Sequence, residues 1–454
     1  MESTTQLSRS EKGLAAESSA AAVLIREAEA GILNSSPKVL LADTNRWDLG
    51  ARLAIGLARI GCTVSAVCPT NGHTLLVTRA VKKAFPYKAS NPLESLRAAI
   101  EKADPDIVIP CCDRSVEHLH QLYGNALKHG AAGEKIVRLI ERSLGDPSGY
   151  RIVTSRYDLL SLAQEEGVSV PDTTRVSSSA DLDLWRTSKS NACVVKVDGT
   201  WGGLGVRTIR ELDPSERVWD EVTNTSRLTR AIKRLLVNRD PFFFSAWINH
   251  TERPIIAQRF IKGRPANCTV FAWKGKVVAL IAVEVLRSDG STGPASVVHL
   301  IQNAEMRGAA ERIASRLGIS GFFGLDFILE EGTGLAYLIE MNARLAPPCY
   351  LRFEKGRDLI GAMWASITGQ PIPENVRVTE SDVIAYQLQS LRKKGTPAGC
   401  FYAEPEGEPE LTRELQNPFP NRTLLFRLVQ LFDRLRLPSG QNERSSEHEP
   451  FLDA

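Results

Sequence analysis

Three polar side chains at alternate positions interrupt the otherwise apolar segment AYLIEMNAR, residues 336–344. They are Glu340, Asn342 and Arg344. Alternate side chains of a β-strand point to the same face, so an acid, an amide and a guanidinium would lie together, with Leu338 on their side. Carboxylate and amide oxygens suit a magnesium ion, and a guanidinium suits a phosphate or a carboxylate. The segment therefore predicts a strand that carries a site for a cation and an anion.

A second carboxylate comes from the preceding segment, because GFFGLDFILEEGTGLAYLIEMNAR predicts two strands joined through EEGTG. If the reversal is centred on Thr333, Asp326 lies directly opposite Glu340, and Asn342 lies one same-face step beyond. A slip of one residue in register would send Asp326 to the other face. The alternative left open is that Glu340 and Arg344 pair with other side chains on a solvated strand.

A glycine-rich hairpin, VVKVDGTWGGLGVRTI, lies upstream of this strand pair. Its glycines allow sharp turns that aim backbone N–H groups at an anion. Strands flank the loop on both sides, which excludes a Walker P-loop, since that motif needs GK[ST] at the start of a helix. Lys196, on the strand that feeds the loop, could reach the same phosphates. The alternative is a flexible hairpin with a solvated lysine.

The elements that must position these residues begin with alternating strands and helices. KVLLAD, TVSAVCP and DIVIP read as strands, and LGARLAIGLARIG and NPLESLRAAIEKA read as helices, which together predict a parallel α/β domain. The first strand-to-helix turn lacks GxGxxG, so a dehydrogenase is disfavoured. Further on, a helix begins near Ser155, and hairpins follow, one of them turning at Lys274 and Gly275.

The order of these motifs resembles the ATP-grasp superfamily, which includes biotin carboxylase and D-alanine ligase. The resemblance rests on a glycine hairpin with its lysine, followed by Asp326 and then Glu-x-Asn-x-Arg, and it spans roughly residues 37–372. It implies an α/β and α+β architecture, with an N-terminal parallel α/β domain ahead of the ATP-grasp fold. The expected divisions are a flexible tail (1–36), a pre-ATP-grasp domain (37–145), an ATP-grasp domain (146–375) with a lid at about 190–255, and a C-terminal extension (376–454) that has an amphipathic helix and a disordered end.

The resemblance also implies roles for individual residues. The metal ligands would be Asp326, Glu340 and Asn342, and Arg344 would face the transferred phosphoryl group or the acid substrate. Residues implied to hold the nucleotide are Arg156 and Lys196 at its phosphates, Gly202, Gly203 and Gly205 in the lid, and Gln258, Phe260 and Ile261 in the hinge strand along adenine.

Two positions near the hinge depart from the family pattern, and Pro347 and Pro348 replace the small residues that often follow Arg344. Arg259 and GRPAN replace acids that often follow the hinge, and Asn267 is a candidate for the missing ribose contact. Arg287, at the start of the loop RSDGSTGPASVVH, is a further candidate for contact with the acid substrate. The alternative for this loop is a surface turn formed by its glycines and proline.

The implied activity is that of a ligase that depends on ATP and Mg²⁺, with Mn²⁺ as an alternative ion. It would activate a small-molecule carboxylate as an acyl phosphate and join it to an amine or ammonia. An ATP-dependent small-molecule kinase and a non-catalytic nucleotide-binding or scaffold protein are the alternatives. The identity of the acid and the amine, the pathway and the oligomeric state are left open, with a homodimer as one option.

Composition limits the other function classes. Lys and Arg number 56 against 53 Asp and Glu, so the net charge of +3 gives no case for nucleic-acid binding. The eight cysteines include no CxxC pair, which favours reduced structural thiols in a cytoplasmic protein. The segment RTLLFRLVQLFDRLRLP, residues 422–438, has basic and apolar residues at helical spacing. It is expected either to dock on an acidic membrane or a partner, or to cover the protein's own core.

Overall fold

The structure is a computed structural model that describes residues 36–70, 72–189, 192–198, 205–210, 213–224, 254–288, 293–375, 377–386, 399–405 and 407–416. The predicted N-terminal tail, most of the predicted lid with Gly199, Gly202 and Gly203, and the predicted helix at 422–438 lie outside these residues. Within the described ranges, no helix has both the length and the apolar character needed to cross a bilayer.

The N-terminal part is a parallel sheet flanked by helices, as the sequence predicts. Its strands run in the spatial order β3-β2-β1-β4, with parallel pairing throughout. The elements are β1 (Lys38–Ala42), α1 (Leu49–Arg59), β2 (Thr63–Cys68), β3 (Val81–Pro86), α2 (Pro92–Ala103), β4 (Ile107–Pro110), α3 (Asp113–Lys128) and α4 (Glu134–Leu144). The carboxyl ends of these strands form one edge of the sheet, which is where open α/β sheets bind ligands.

A small antiparallel sheet follows, with strand order β5-β8-β6-β7. Its elements, with the helices around it, are α5 (Tyr150–Val153), α6 (Arg156–Glu165), β5 (Thr173–Val176), α7 (Ser179–Lys189), β6 (Cys193–Val197), β7 (Val206–Ile209), α8 (Ser215–Asn224) and β8 (Ile255–Arg259). The side chain of Ser155 accepts the N–H of Asp158 and caps α6, which confirms the predicted helix start.

A seven-stranded sheet has the order β13-β12-β9-β10-β11-β14-β15. The remaining elements are β9 (Gly263–Trp273), β10 (Lys276–Ser288), β11 (Ala295–Ile301), α9 (Ala304–Leu317), β12 (Gly321–Glu330), β13 (Ala336–Asn342), α10 (Leu359–Thr368), β14 (Val383–Ala385), β15 (Phe401–Tyr402) and α11 (Pro409–Gln416). The predicted turn between β9 and β10 is confirmed, since Lys274 and Gly275 both have positive φ angles, of 50° and 78°.

The parallel sheet and the seven-stranded sheet share one apolar core. Leu41 and Leu57 from the N-terminal part belong to the same buried cluster as Phe271 and Ile281 from β9 and β10. In addition, the N–H of Leu345 donates to the carbonyl oxygen of Pro110 at 3.3 Å. The shared core places the end of β13 beside the carboxyl edge of the parallel sheet.

The cysteines of the N-terminal part are buried, as the sequence analysis expects for structural thiols. Cys111 and Cys112 lie at the end of β4, and burial raises the pKa of both thiols. A buried thiol with a raised pKa has little reactive thiolate. Cys112 also caps α3 in a reciprocal arrangement with Ser115, so its position is explained by the helix that it starts.

Candidate active site

The two acidic residues lie side by side, as predicted. Asp326 on β12 is the register partner of Glu340 on β13, and Gly324 is the partner of Asn342. The register shifts next to this pair, on the side of the turn that joins the two strands. Phe327 pairs with Leu338, so Ile339 is an extra residue that forms a β-bulge in β13. The expectation that Leu338 shares the face of Glu340 is therefore wrong. The bulge turns Leu338 into the apolar core, where it is fully buried.

Burial and a neighbouring negative charge both disfavour the ionised form of Asp326. Burial raises the pKa of this carboxyl group to about 6, the charge of Glu340 acts in the same direction, and Arg344, Asn342 and Lys196 only partly oppose them. A cation between the two carboxylates would relieve this repulsion. The described residues contain no cluster of three or more His, Cys, Asp and Glu side chains suited to a metal. Magnesium, however, is commonly held by one or two carboxylates with waters and substrate phosphates, so the pair fits that ion.

Asn342 bridges the acidic pair and the guanidinium. Its Nδ2 donates to Oδ2 of Asp326 at 2.9 Å, and its Oδ1 accepts from Nη2 of Arg344 at 3.0 Å. The donor side of the amide thus faces the carboxylate and the acceptor side faces the cation. In this conformation the amide oxygen that the sequence analysis assigns to a metal is engaged by Arg344.

Arg344 joins β13 to the N-terminal domain. Its Nε donates to Oδ2 of Asp113 at 3.0 Å, its Nη1 donates to the Leu345 carbonyl oxygen at 2.8 Å, and its guanidinium lies 5.1 Å from the ring centroid of Trp47. Asp113 is the first residue of α3, where an acid is favoured by the helix dipole. Sequence reasoning missed both partners, since no short-range pattern connects them to Arg344.

Arg156 reaches the same acidic pair from the small-sheet side. Its Nη2 donates to Oε1 of Glu340 at 2.7 Å, and its Nη1 donates to the Val197 carbonyl oxygen at 2.7 Å. The position follows from the start of α6, where Arg156 is the first helical residue after the Ser155 cap. A candidate phosphate-binding guanidinium and a candidate metal-binding carboxylate thus neutralise each other in the ligand-free chain.

Lys196 lies on β6 and is almost fully buried, with 4% exposure. Its Nζ donates to the carbonyl oxygen of Ile339 at 3.1 Å. Ile339 is the extra residue of the bulge, so the lysine binds a carbonyl that lies at the break in the strand ladder. Burial lowers the pKa of Lys196 to about 8, and Arg156 adds to the lowering, while Glu340 is the largest opposing influence.

Asp198 is a site residue that the sequence analysis does not single out. Its Oδ1 accepts the backbone N–H of Arg156 at 3.3 Å and lies 3.7 Å from Nη1 of the same residue. Burial raises the pKa of the Asp198 carboxyl, and the charge of Arg156 opposes the increase. The sequence feature that could have identified Asp198 is its place between Lys196 and the glycine loop.

Replacing Asp198 with alanine is expected to raise the KM for ATP by roughly tenfold, because Arg156 loses a charged hydrogen-bond partner that orients it. The measurement is the ATP dependence of phosphate release. Asp158→Ala is the matched control, since Asp158 is on the same helix as Arg156 but pairs with the exposed Arg175 at 2.5 Å. Equal effects of the two variants on the KM would show that Asp198 has no specific role.

The predicted hinge is the end of β8 and the segment that follows. Gln258 and Ile261 are buried, and Phe260 is 42% exposed. The side chain of Gln258 donates from Nε2 to Oγ1 of Thr173 at 3.3 Å, which holds the strand in the small sheet. An exposed aromatic ring next to a buried apolar side chain is compatible with an adenine surface, and this role stays a prediction.

Arg259 and Asn267, the two residues named at the departures from the family pattern, both have identifiable neighbours. Arg259 lies 3.8 Å from Asp172 and places its guanidinium 5.5 Å from the ring centroid of Tyr337 on β13. It therefore links the small sheet to the large one. Asn267 on β9 is the register partner of Asp326, so it lies beside the acidic pair. This position makes a contact with phosphate or metal as reasonable for Asn267 as the predicted contact with ribose.

Two further residues that the sequence analysis assigns to ligands, Gly205 and Arg287, lie within the described ranges. Gly205 has a φ of 76° and accepts the Val197 N–H through its carbonyl at 3.0 Å, so its conformation favours glycine at the end of the loop. Arg287 lies in a bulged part of β10, where its carbonyl oxygen accepts from Ser296 Oγ at 3.2 Å. Its contact with an acid substrate stays a prediction.

A buried carboxyl group lies at the carboxyl end of β1, on the edge that faces Arg344. Asp43 is 1% exposed, and burial raises its pKa to about 7 against hydrogen bonds from Asn45 and Cys112. His73 lies 3.7 Å away, and burial lowers its pKa to about 4. This pair is therefore expected to be uncharged over part of the neutral and mildly acidic range.

The raised pKa of Asp43 predicts that the effect of Asp43→Asn on thermal stability becomes more favourable as the pH rises. Between pH 3.8, the ordinary value for an aspartate, and about pH 7, the folded chain holds the Asp43 proton more tightly than the unfolded chain does. The stability that Asp43 contributes therefore falls as the pH rises through this window. The Tm of Asp43→Asn minus the Tm of the unsubstituted protein should increase from pH 4 to pH 7 in a thermal-melting series.

A control for this series is Asp104→Asn. Lys135 and Lys38 lower the pKa of Asp104 below its ordinary value of 3.8, so its carboxyl group is almost fully ionised in both the folded and the unfolded state from about pH 5 to pH 7. Its Tm difference from the unsubstituted protein should be flat there. A flat difference for Asp43→Asn as well would contradict the raised pKa.

Comparison with known proteins agrees with this fold. Residues 154–348 match the model of the ATP-grasp domain family. The fold is similar to an ADP complex of N5-carboxyaminoimidazole ribonucleotide synthetase, with 12% identity, coverage of 76% of this chain and 81% of that chain, and a TM-score of 0.55. It is also similar to the biotin carboxylase domain of the 2-oxoglutarate carboxylase of Hydrogenobacter thermophilus, with 14% identity, coverage of 76% and 72%, and a TM-score of 0.54.

A third solved structure, the N5-carboxyaminoimidazole synthetase of Staphylococcus aureus with ADP, has 13% identity, coverage of 75% of this chain and 80% of that chain, and a TM-score of 0.52. At these identities the similarity establishes the fold. A search of curated protein sequences finds no significant match. Together, the family match and the fold identify residues 154–348 as an ATP-grasp domain, preceded by a parallel α/β domain.

Proposed function

We propose that this protein is an ATP-dependent ligase that activates a carboxylate as an acyl phosphate and joins it to an amine or ammonia. The observation that carries the proposal is the register of β12 and β13, which sets Asp326 beside Glu340. Lys196 on β6 binds β13 beside this pair, and Arg156 at the start of α6 binds Glu340 itself. Acids and cations thus converge from two sheets at a place where a triphosphate and its metal would need both.

The residues would act chiefly by positioning and by neutralising charge. A carboxylate resists an amine because it is negatively charged and its oxygen leaves poorly. Transfer of the terminal phosphoryl group of ATP to that oxygen forms a C–O–P linkage and releases ADP. The amine then attacks the carbonyl carbon, and phosphate leaves with the C–O electron pair. Mg²⁺, when bound, would supply charge neutralisation for the phosphates.

Asp326 and Glu340 would hold that ion, with Asn342 after rotation of its amide. A half-turn of the amide would direct Oδ1 toward the acidic pair and Nδ2 away from it. Lys196 and Arg156 would offset phosphate charge, and Arg344 would bind the acid substrate or the moving phosphoryl group. The segment around the glycine loop would exclude water from the acyl phosphate.

Arg156 is expected to change partner when nucleotide binds. It now donates to Glu340, which is the carboxylate assigned to the ion. Binding of Mg²⁺ and ATP would supply Glu340 with a cation and Arg156 with a phosphate, so the ion pair is exchanged for two new charge pairs. The guanidinium would thereby compensate the charge of Glu340 until the ligand arrives.

The experiment is a screen of carboxylic acids with ATP, Mg²⁺ and hydroxylamine, which traps an acyl phosphate as a hydroxamate. A positive acid is then labelled with ¹⁸O in its carboxylate, and ammonia and amino acids replace hydroxylamine. A ligase transfers one ¹⁸O atom to the released phosphate and forms an amide. A kinase leaves a stable phosphorylated product, and a nucleotide-binding scaffold binds MgADP without turnover. Either of the last two results would overturn the proposal.

A further inference from the structure

The chain after the ATP-grasp domain returns to the N-terminal domain. β15 pairs in parallel with β14 at the edge of the seven-stranded sheet, and α11 follows it. Leu411 on α11 is completely buried and belongs to the same core cluster as Leu53 and Leu57 of α1. The described residues 399–405 and 407–416 therefore pack against the N-terminal domain, and we refer to them as the C-terminal strap.

Glu408 ties the strap to the segment 73–79. Although it is acidic, it is only 8% exposed. Its Oε1 accepts from Oγ1 of Thr78 at 3.1 Å, and its two oxygens each accept the Arg79 N–H at 3.2 Å. A buried carboxylate is retained at little cost only where such donors satisfy it, so these contacts hold the segment firmly.

The segment 73–79 in turn holds the loop 43–48. The ring Nε2 of His73 lies 2.6 Å from the Asn45 carbonyl oxygen, and Oγ1 of Thr74 donates to the Trp47 carbonyl oxygen at 2.8 Å. These bonds satisfy two backbone carbonyls in the loop that leaves the carboxyl end of β1. Glu408 thus supports the loop through one intervening segment.

The strap also contacts the same loop and its helix directly. Glu414 forms an ion pair with Arg46. The carbonyl oxygen of Ala403 accepts from Nη1 of Arg52 at 2.5 Å, and Arg52 pairs through Nε with Asp48 at 2.6 Å. The strap therefore engages residues on both sides of Trp47.

Trp47 connects this framework to the candidate active site. Its ring centroid lies 5.1 Å from the Arg344 guanidinium, a distance at which a cation–π contact orients the cation. Arg344 also binds Asn342, which touches Asp326. A chain of direct contacts thus runs from Glu408 and Glu414 through the loop to Arg344.

We infer that the C-terminal strap is a positioning element for the active site, in which Glu408 and Glu414 hold the loop 43–48 so that Trp47 fixes the Arg344 guanidinium. The role of Arg344 in turnover rests on the proposed ligase function. The strap contacts themselves do not, so the two ideas are tested by different readouts.

The first readout is hydrogen exchange of the full-length protein. In Glu408→Ala, amides in peptides covering residues 43–52 should exchange about tenfold faster, since a charged hydrogen-bond partner of the supporting segment is lost. Peptides covering β9 should be unchanged. Glu410→Ala is the matched control, because Glu410 lies two residues after Glu408, in the first turn of α11, and is exposed. If both variants exchange alike in residues 43–52, the inference is overturned.

The second readout separates positioning from a general loss of stability. Glu408→Ala should lower kcat with the acid found by the hydroxamate screen by about tenfold and leave the KM for ATP unchanged, because the nucleotide side of the site is not attached to the strap. The double variant Arg46→Glu with Glu414→Arg exchanges the two charges of the ion pair. It should restore much of the kcat lost in either single variant. The inference would be overturned if the single variants raised the KM for ATP, or if the double variant did not regain kcat. Absence of any acid-dependent turnover in the unsubstituted protein would instead overturn the proposed function, and hydrogen exchange would still decide the strap.

Discussion

Replacing Glu340 with glutamine is expected to lower ATP-dependent phosphate release by about 100-fold or more, the range found when one preorganised charge-stabilising group is removed from an active site. Glutamine keeps the shape of the side chain and an oxygen that can accept from Arg156, so the fold should be retained. It removes one of the two negative charges that the register of β12 and β13 places together. The loss should appear in kcat with saturating ATP and Mg²⁺.

The substitution has a second expected consequence. Glu340 is the main charged group that raises the pKa of Asp326, after burial itself. Without that charge the pKa of Asp326 should fall below about 6. Magnesium affinity, measured by titration calorimetry in the presence of ADP, should nevertheless decrease, because one carboxylate ligand has become an amide. A variant with normal magnesium affinity would mean that the ion is held elsewhere.

Glu284→Gln is the matched control for Glu340→Gln. Glu284 also lies on the seven-stranded sheet, and it accepts from Nη1 of Arg264 at 2.8 Å, so it repeats the glutamate–arginine pair outside the acidic cluster. Phosphate release by this variant should stay within about twofold of the unsubstituted protein, because the pair of Glu284 with the exposed Arg264 lies outside the acidic cluster. If the two variants lose activity equally, the effect of Glu340→Gln would reflect the sheet and not the site.

The sequence was sufficient to predict the acidic pair but not the geometry beneath it. Alternation of polar residues and a reversal near Thr333 correctly predicted that Asp326 lies opposite Glu340. The bulge at Ile339 was not predictable from alternation, because it depends on how many residues the two strands contribute between fixed contacts. The structural consequence is that Leu338 is in the core and that the Ile339 carbonyl oxygen is bound by Lys196.

Contacts between distant parts of the chain were also beyond sequence reasoning. Asp113 begins α3 of the N-terminal part and Arg344 follows β13, 231 residues further along the chain, yet they form a 3.0 Å hydrogen bond. Periodicity specifies the face on which a side chain lies, but the partner is set by how two domains pack. A family resemblance supplied Arg156 as a phosphate ligand, while its pairing with Glu340 depends on the ligand-free charge balance of this chain.

Replacing Arg344 with lysine is expected to lower kcat by about 100-fold while the KM for ATP changes by less than about threefold. The guanidinium uses three nitrogens at once, on Asp113, the Leu345 carbonyl and Asn342. An ammonium is a single point charge and cannot maintain this planar arrangement, so the acid substrate would meet a displaced cation. Kinetics with the acid and ATP varied independently would separate the two constants.

The control for Arg344→Lys is an arginine that also binds a carboxylate but lies outside the candidate active site. Arg352 binds Oδ2 of Asp358 through Nε at 2.9 Å and Nη2 at 2.5 Å, and Asp358 caps α10 by accepting the Gly361 N–H. Arg352→Lys should therefore lower the Tm with little effect on kcat, since it disturbs a structural fork. If Arg344→Lys instead kept its kcat and raised the KM for ATP, the guanidinium would serve the nucleotide phosphates. The acid substrate would then need another cation, and Arg287 would be the next residue to replace.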